Sequence, residues 1–158
     1  MGKILAICTS LRRGTLKTPV PSAVLTPEWG IVGDAHGGSW HRQVSLLSAE
    51  KIEAFRQKLW VDYGAFGENL VVEGFDFATL PVPSFFAIGD AVLEMTQIGK
   101  ISVMGIVPPW AGFEKRQSGT FKNYFHFFNV PLINRTHRSV PAANTGIRRL
   151  DRYETTYR

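Results

Sequence analysis

The residues best suited to chemistry in this sequence fall in one glycine-rich stretch, residues 30–47. It reads G-I-V-G-D-A-H-G-G-S-W-H-R-Q-V-S-L-L and becomes apolar at Val44. Its candidate ligand side chains are Asp34, His36, His41 and Arg42. Glycines let a ligand approach the backbone closely, and loops on a rigid scaffold commonly form binding sites. The alternative interpretation is an ordinary exposed turn with incidental histidines.

Anion binding suits this stretch better than metal binding. His36 and His41 are five residues apart, which matches no standard zinc motif. Arg42 offers a planar fork of donors that fits phosphate or carboxylate, and glycine N–H groups can add a concave nest of donors. The stretch therefore predicts an anion site, with a metal site as the less favoured alternative.

Three polar residues further along the chain could complete such a site. Asn69 follows Gly67 in a polar segment, and Gln97 and Lys100 end a predicted strand. The amide of Asn69 could orient a ligand, and the ammonium of Lys100 could pair with negative charge. Asn69 could equally be a turn residue whose amide bonds to nearby backbone, and Arg42 a surface residue in an ion pair.

The composition is that of an ordinary globular chain. Its 158 residues are 44% hydrophobic and 20% charged, which predicts one domain with a real core. Cys8 is the one cysteine, so an intramolecular disulfide and a cysteine-based metal cluster are excluded. Cys8 lies in an apolar run, where a thiol is more often inert core than nucleophile. We find neither a membrane-length apolar run nor a signal-peptide pattern, so a cytoplasmic protein is expected.

Short strands separated by glycine and proline turns predict a mainly β domain, either a barrel or a closed sheet, with one helix. The predicted strands are 3–9, 17–26 (irregular or at an edge because of its prolines), 43–47, 70–72, and a hairpin of 85–88 and 91–98. The helix is predicted to follow an N-cap at Ser48. It should end near Leu59, because Ile52, Phe55 and Leu59 recur at helical spacing.

Several segments taken together resemble the MOSC domain family, named after the C-terminal domain of molybdenum cofactor sulfurase. They are K-T-P-V at 17–20, G-D-A-H-G-G-S-W-H-R-Q-V-S-L-L at 33–47, F-G-E-N-L at 66–70 and I-G-D-A-V-L-E-M-T-Q-I-G-K at 88–100. The resemblance covers residues 1–100 almost continuously. It is nearest to the stand-alone, MoaB/MogA-associated type of the family.

The resemblance implies a β-barrel like the barrel domain of pyruvate kinase. It also implies that the protein binds a molybdopterin-type cofactor and carries or transfers sulfur as a cysteine persulfide. The expected cofactor contacts are then Asp34, His36, His41, Arg42, Asn69, Gln97 and Lys100. Binding of molybdenum ion or pyridoxal phosphate, and a sulfur-donor protein as partner, are further expectations of the same resemblance. The oligomeric state stays open.

The sequence departs from the family pattern directly after Lys100. The family continues with Glu, Cys, His and a second Cys, whereas this chain continues Ile101-Ser102-Val103-Met104. Ser102 therefore stands at the position of the catalytic cysteine, and a serine hydroxyl cannot hold a persulfide. We expect a MOSC-type protein whose sulfur chemistry is reduced or lost, and the sequence leaves enzymatic turnover open.

The basic charge is concentrated after residue 100. Residues 1–100 carry 9 basic and 10 acidic side chains, whereas residues 101–158 carry 9 and 3. We therefore predict a MOSC-like barrel domain over 1–100 and a divergent or frameshifted extension over 101–158, which could complete the barrel. The frameshift hypothesis rests on codons 102–108, because a shifted frame can encode Cys-His-Gly-His-Cys-Ala, which looks like the family's own continuation.

A second hypothesis, from a different class, is a non-catalytic anion-binding barrel whose basic tail binds nucleic acid. Aromatic side chains interleaved with basic ones can stack on bases. The candidates are Phe121, Tyr124, Phe125, Phe127 and Phe128, beside Lys122 and His126. The same aromatic residues could instead form part of a core. We favour the cofactor-binding interpretation, under which no nucleic-acid partner is expected.

Overall fold

The computed structural model has a mainly β fold with one α-helix among the residues it describes, which confirms the predicted fold class. The structure describes residues 1–27, 29–39, 43–89, 91–99, 127–129 and 138–151. The strands are β1 (Gly2–Thr9), β2 (Thr18–Val20), β3 (Ser22–Thr26), β4 (Gly30–Ile31), β5 (Ser45–Ser48), β6 (Leu70–Glu73), β7 (Ser84–Ile88), β8 (Ala91–Met95), β9 (Gln97–Gly99), β10 (Phe127–Asn129), β11 (Arg138–Pro141) and β12 (Thr145–Leu150). The α-helix, α1, is Ala49–Arg56, and a short 3₁₀ turn spans Phe77–Thr79.

The larger sheet curls into a half-barrel. Its strand order is β8-β7-β12-β1-β6-β5-β10-β9, with β2 paired to β1 beside this path. The end strands β8 and β9 are separated in the chain by Thr96 alone, so the two ends of the sheet must come close together. A smaller sheet, β11-β3-β4, carries the start of the glycine-rich stretch.

The core lies on the inner side of the curled sheet. Strand β8 shows the reason in its alternation, because Ala91, Leu93 and Met95 are buried while the residues between them are half-buried. Phe86 of β7 packs edge-on against Phe77, with ring centroids 5.7 Å apart. Such aromatic pairs add packing energy beyond the area they bury.

Residues of the predicted extension lie within this sheet. Strand β12 pairs with β1 on one edge and with β7 on the other, placing Ile147 opposite Gly2 and Ile88. The Ile147 side chain is fully buried. Strand β11 pairs with β3 in the smaller sheet. The domain boundary at residue 100 and the frameshift hypothesis stay predictions.

Several element boundaries differ from the prediction. The strand predicted over 91–98 is two strands, β8 and β9, divided at Thr96. The extended segment 17–26 is two strands divided at Pro21, because proline has no N–H for a ladder hydrogen bond. Strand β5 begins at Ser45 rather than at 43. The helix ends at Arg56 rather than near Leu59. Leu59 is only half-buried, so its packing stabilises a further helical turn little.

The predicted N-cap position of the helix is confirmed, but its bonding differs from the usual pattern. Ser48 is the N-cap of α1, yet its hydroxyl accepts no backbone N–H. It donates instead to the Glu50 carboxylate, 2.5 Å away. No helix in the described ranges is long and apolar enough to cross a membrane.

Candidate functional site

The glycine loop, residues 33–38, follows β4 as a succession of tight turns. Gly33 and Gly38 adopt positive φ values of 83° and 154°, a region that favours glycine. The N–H of Gly37 donates to the Asp34 carbonyl over 3.0 Å, and the N–H of Ala35 donates to the Ser10 carbonyl over 2.7 Å. The loop is therefore attached to the chain that leaves β1.

The Asp34 carboxylate lies at the centre of this attachment, and its side chain is fully buried. Its Oδ1 accepts the Ser10 N–H over 2.9 Å. Its Oδ2 accepts the Lys17 ammonium over 2.9 Å and the His36 N–H over 3.2 Å. Burial alone would raise the pKa of Asp34, but the Lys17 charge and these hydrogen bonds hold it below its usual value. An ionised carboxylate thus connects three separate backbone segments.

Lys17 is the buried cation that balances Asp34. Its backbone N–H donates to the Gly64 carbonyl over 3.2 Å, which brings the turn before β6 onto it. Gly64 has a φ of 93°, and a Cβ there would collide with the Lys17 backbone, so only glycine fits. Burial lowers the pKa of the Lys17 ammonium, while the charges of Asp34 and Glu68 oppose that shift.

Glu68 is a second buried carboxyl close to Lys17. Its Oε1 accepts the Gly64 N–H over 2.6 Å, and its Oε2 accepts the Phe66 N–H over 3.0 Å. Burial raises the pKa of Glu68 to about 7, although these hydrogen bonds and Lys17 act in the opposite direction. Glu68 therefore titrates near neutral pH while it holds its own turn together.

Asn69 joins the ends of three strands. Its Nδ2 donates to the Cys8 carbonyl over 3.0 Å, and its Oδ1 accepts the Ser45 N–H over 3.1 Å and the Ser45 hydroxyl over 3.0 Å. The side chain of Cys8 is buried beside it, and burial followed by the Glu68 charge raises the pKa of this thiol to about 12. A thiol in this state is not a nucleophile at neutral pH.

The exposed edge of the loop carries its positive charge on arginine rather than on histidine. The His36 side chain is 33% exposed, and its Nδ1 lies 3.7 Å from Asp34 Oδ2. Burial, together with the Lys17 charge, lowers the pKa of His36, so its ring is largely neutral at neutral pH. Arg13 is exposed, and its Nε donates to the Ala35 carbonyl over 3.0 Å. With exposed Arg12 beside it, Arg13 supplies a cationic rim.

The structure brings part of the predicted site together. Asp34, His36 and Asn69 lie in or beside one buried polar cluster, which we define as Ser10, Lys17, Asp34, Glu68 and Asn69. Gln97 lies on β9 opposite Asn129, and its side chain is outside the described part of the structure. The remaining candidates, His41, Arg42, Lys100 and Ser102, also fall outside the described residues. Ligand binding by all of these residues stays a prediction.

The described residues contain no group of three or more His, Cys, Asp or Glu side chains that could hold a metal ion. Sequence reasoning missed Lys17, Glu68 and Arg13 as members of the site. The first two stood inside the K-T-P-V and F-G-E-N-L segments, and that position was the available signal. A charged residue in a polar segment is usually exposed, so its burial is not visible before the turns close over it.

The profile of the MOSC domain matches residues 33–98, a range that contains the glycine loop together with Glu68 and Asn69. This match confirms the resemblance that the sequence segments indicated. No curated protein sequence matches the chain.

Solved structures share the fold at low sequence identity. YuaD from Bacillus subtilis superposes with a TM-score of 0.72 at 15% identity, over 93% of this chain and 94% of that one. YiiM from Geobacillus stearothermophilus gives a TM-score of 0.67 at 15% identity, over 96% and 76% of the two chains. YiiM from Escherichia coli gives 0.63 at 19% identity, over 97% and 71%. These likenesses establish the fold.

Proposed function

From the MOSC domain match over residues 33–98, we propose that this protein binds an anionic cofactor of the molybdopterin type at the glycine loop and does not itself carry sulfur. The MOSC family is associated with the molybdenum cofactor. The observation that carries the proposal is the bonding of Asp34, whose buried carboxylate fixes the loop to Ser10 and Lys17. The loop is therefore ordered before a ligand arrives.

This ordering favours binding, because a preformed loop loses less conformational entropy when it takes up a ligand. The groups around the loop also suit an anion. Arg12 and Arg13 form a cationic rim, and Arg42 and Lys100 are the proposed partners of the cofactor's phosphate. A guanidinium can donate two parallel hydrogen bonds to a phosphate, which gives both affinity and orientation.

The sulfur-carrying half of the family's chemistry does not fit this chain. A persulfide needs an accessible thiolate, and Cys8 is the one cysteine of the sequence. Cys8 is buried, and its raised pKa of about 12 keeps the thiol protonated. Ser102 stands where the family has its cysteine and offers a hydroxyl in place of a thiol. We therefore propose binding without a covalent sulfur step on this protein.

The test is cofactor retention in a host that makes molybdopterin. The purified protein is oxidised so that bound molybdopterin becomes its fluorescent derivative, which is quantified per mole of protein. Wild type should retain the pterin, and Arg42→Ala should retain about tenfold less, because a charge-assisted hydrogen bond is lost. Arg149→Ala, an exposed arginine on β12, is the matched control and should behave as wild type. Absence of pterin in wild type, or full retention in Arg42→Ala, would overturn the proposal.

A further inference from the structure

Trp29 stands out among the described aromatic residues, because its backbone N–H and carbonyl are both hydrogen-bonded while half of the residue is exposed to solvent. It lies just before β4, and the residue is 50% exposed. Its N–H donates to the Thr26 carbonyl over 3.3 Å, and its carbonyl accepts the Gly38 N–H over 2.8 Å. The backbone of Trp29 is thus fixed both to the end of β3 and to the glycine loop.

The indole of Trp29 lies directly against Gly37. A Cβ added at residue 37 would come within 2.6 Å of the indole Nε1 and 3.1 Å of its Cδ1. Gly37 is not among the glycines with positive φ, so backbone conformation does not require glycine there. The indole requires it, because any side chain at 37 would have to displace the ring. The first glycine of the D-A-H-G-G segment, Gly37, therefore makes room for Trp29.

The loop segment 35–37 is contacted by two side chains of different chemistry. The Trp29 indole packs on Gly37, and the Arg13 guanidinium donates to the Ala35 carbonyl. His36 stands between Ala35 and Gly37 in the chain, and its ring is partly exposed and largely neutral. An aromatic surface and a guanidinium that contact the same short loop segment suit a planar ring that carries an anionic group, since rings stack on indole and anions pair with arginine.

We propose that Trp29 is the stacking surface for the planar heterocycle of the ligand, and so determines selectivity for a ring-bearing anion over a simple anion. This inference rests on the proposed function, which places an anionic pterin at the same loop. Stacking on an aromatic side chain commonly improves the affinity for a planar base by about tenfold or more. Inorganic phosphate has no ring, so Trp29 should contribute negligibly to its affinity.

Calorimetric titration with two probes tests the proposal on the full chain. The probes are pterin-6-carboxylate, a planar ring with an anionic group, and inorganic phosphate. Trp29→Ala should weaken pterin-6-carboxylate binding about tenfold and change phosphate binding less than about twofold. Trp29→Phe keeps an aromatic ring and should retain most of the wild-type affinity for pterin-6-carboxylate. Gly37→Ala should weaken the pterin probe as Trp29→Ala does, because the new methyl group displaces the indole.

Trp60→Ala is the matched control, because Trp60 is 68% exposed and packs on Arg56 at the end of α1. It should bind both probes as wild type does. Unchanged pterin binding in Trp29→Ala would overturn the stacking role and leave the proposed function standing. Equal weakening of both probes would also overturn it, because Trp29 would then act only through the fold of the loop. If wild type binds neither probe, the proposed function fails together with this inference.

Discussion

The ammonium of Lys17 lies 2.9 Å from Oδ2 of Asp34, and the two side chains are 2% and 0% exposed. This ion pair joins the residue before β2 to the glycine loop after β4. A buried ion pair is tolerated only when further hydrogen bonds offset the loss of hydration. Asp34 receives two such bonds, from the N–H groups of Ser10 and His36. Removing either member of the pair should therefore cost more than removing both.

Asp34→Asn is predicted to destabilise the protein severely. It leaves the buried Lys17 ammonium without its ion-pair partner, a loss worth about 3–5 kcal/mol in comparable buried pairs. The measurement is the free energy of unfolding in urea at pH 7. The double variant Lys17→Met/Asp34→Asn should recover a large part of the loss, because it removes the unpaired ammonium and keeps a side-chain oxygen to accept the Ser10 N–H. A single variant as stable as wild type would show that the pair contributes nothing.

A matched comparison is available on the surface of the helix. Glu53 pairs with Arg56, but the Glu53 side chain is 53% exposed. Exposed ion pairs contribute only about 0–1 kcal/mol, because water screens them. Glu53→Gln should therefore change the unfolding free energy far less than Asp34→Asn. Similar losses in the two variants would contradict the role that we assign to burial.

Glu68 should make stability fall as pH rises towards neutrality. Burial raises the pKa of Glu68 from 4.5 to about 7, so between these pH values the folded protein keeps a proton that the unfolded chain has released. Such a group stabilises the fold fully below pH 4.5, and that stability is lost as pH rises through about 7, a loss on the order of 3 kcal/mol. The unfolding free energy measured from pH 4.5 to 8 tests this.

Comparison with Glu68→Gln isolates this contribution, because glutamine does not titrate. His36 has a lowered pKa and so gives an opposite slope, with stability lost as pH falls below its ordinary value of 6.5. His36 is present in both proteins, so its contribution cancels when the unfolding free energies of wild type and Glu68→Gln are subtracted at each pH. Glu68→Gln should also be less stable at low pH, since the glutamine amide group cannot accept one of the two backbone N–H bonds. A difference in unfolding free energy between the two proteins that does not change with pH would contradict the raised pKa of Glu68.

Ser102→Cys is predicted to restore a reactive thiol. Wild type should not react with a thiol reagent at pH 8 in the native state, because Cys8 is buried and its pKa is raised to about 12. Unfolding should release one reactive thiol. In the Cys8→Ser background, Ser102→Cys should react when native and take up sulfane sulfur from polysulfide, detected as a mass increase. Native reactivity of wild type would instead assign sulfur chemistry to Cys8.

Gene resequencing across codons 100–138 tests the frameshift hypothesis. Strand β12 pairs on both edges and buries Ile147, so residues 145–150 contribute to the core of the fold. A shift, if resequencing finds one, should be confined to the codons before β11. The segment Cys-His-Gly-His-Cys-Ala after Lys100 in the corrected frame would supply the family's cysteine and overturn the proposal that this protein does not carry sulfur. An uninterrupted frame through this region would establish the serine at 102 as genuine. Peptide mass mapping of the expressed protein is the independent check.

The sequence by itself determined the fold class and the segments of the site. Alternation and turn residues mark most strands, because the period of side chains along a strand is local. The helix α1 followed from the spacing of Ile52 and Phe55, although its end was placed too late. The conformation that Gly33 needs is also a local property. These features depend only on residues that are near one another in the chain.

Only the tertiary structure decided which polar residues are buried together. Lys17 and Glu68 resemble surface residues in the sequence, and they become a buried cluster because the turn at Gly64 closes over Lys17. The same closure brings Asn69 against Cys8 and raises the pKa of Glu68. Burial and charge pairing arise between segments far apart in the chain, so no local pattern encodes them.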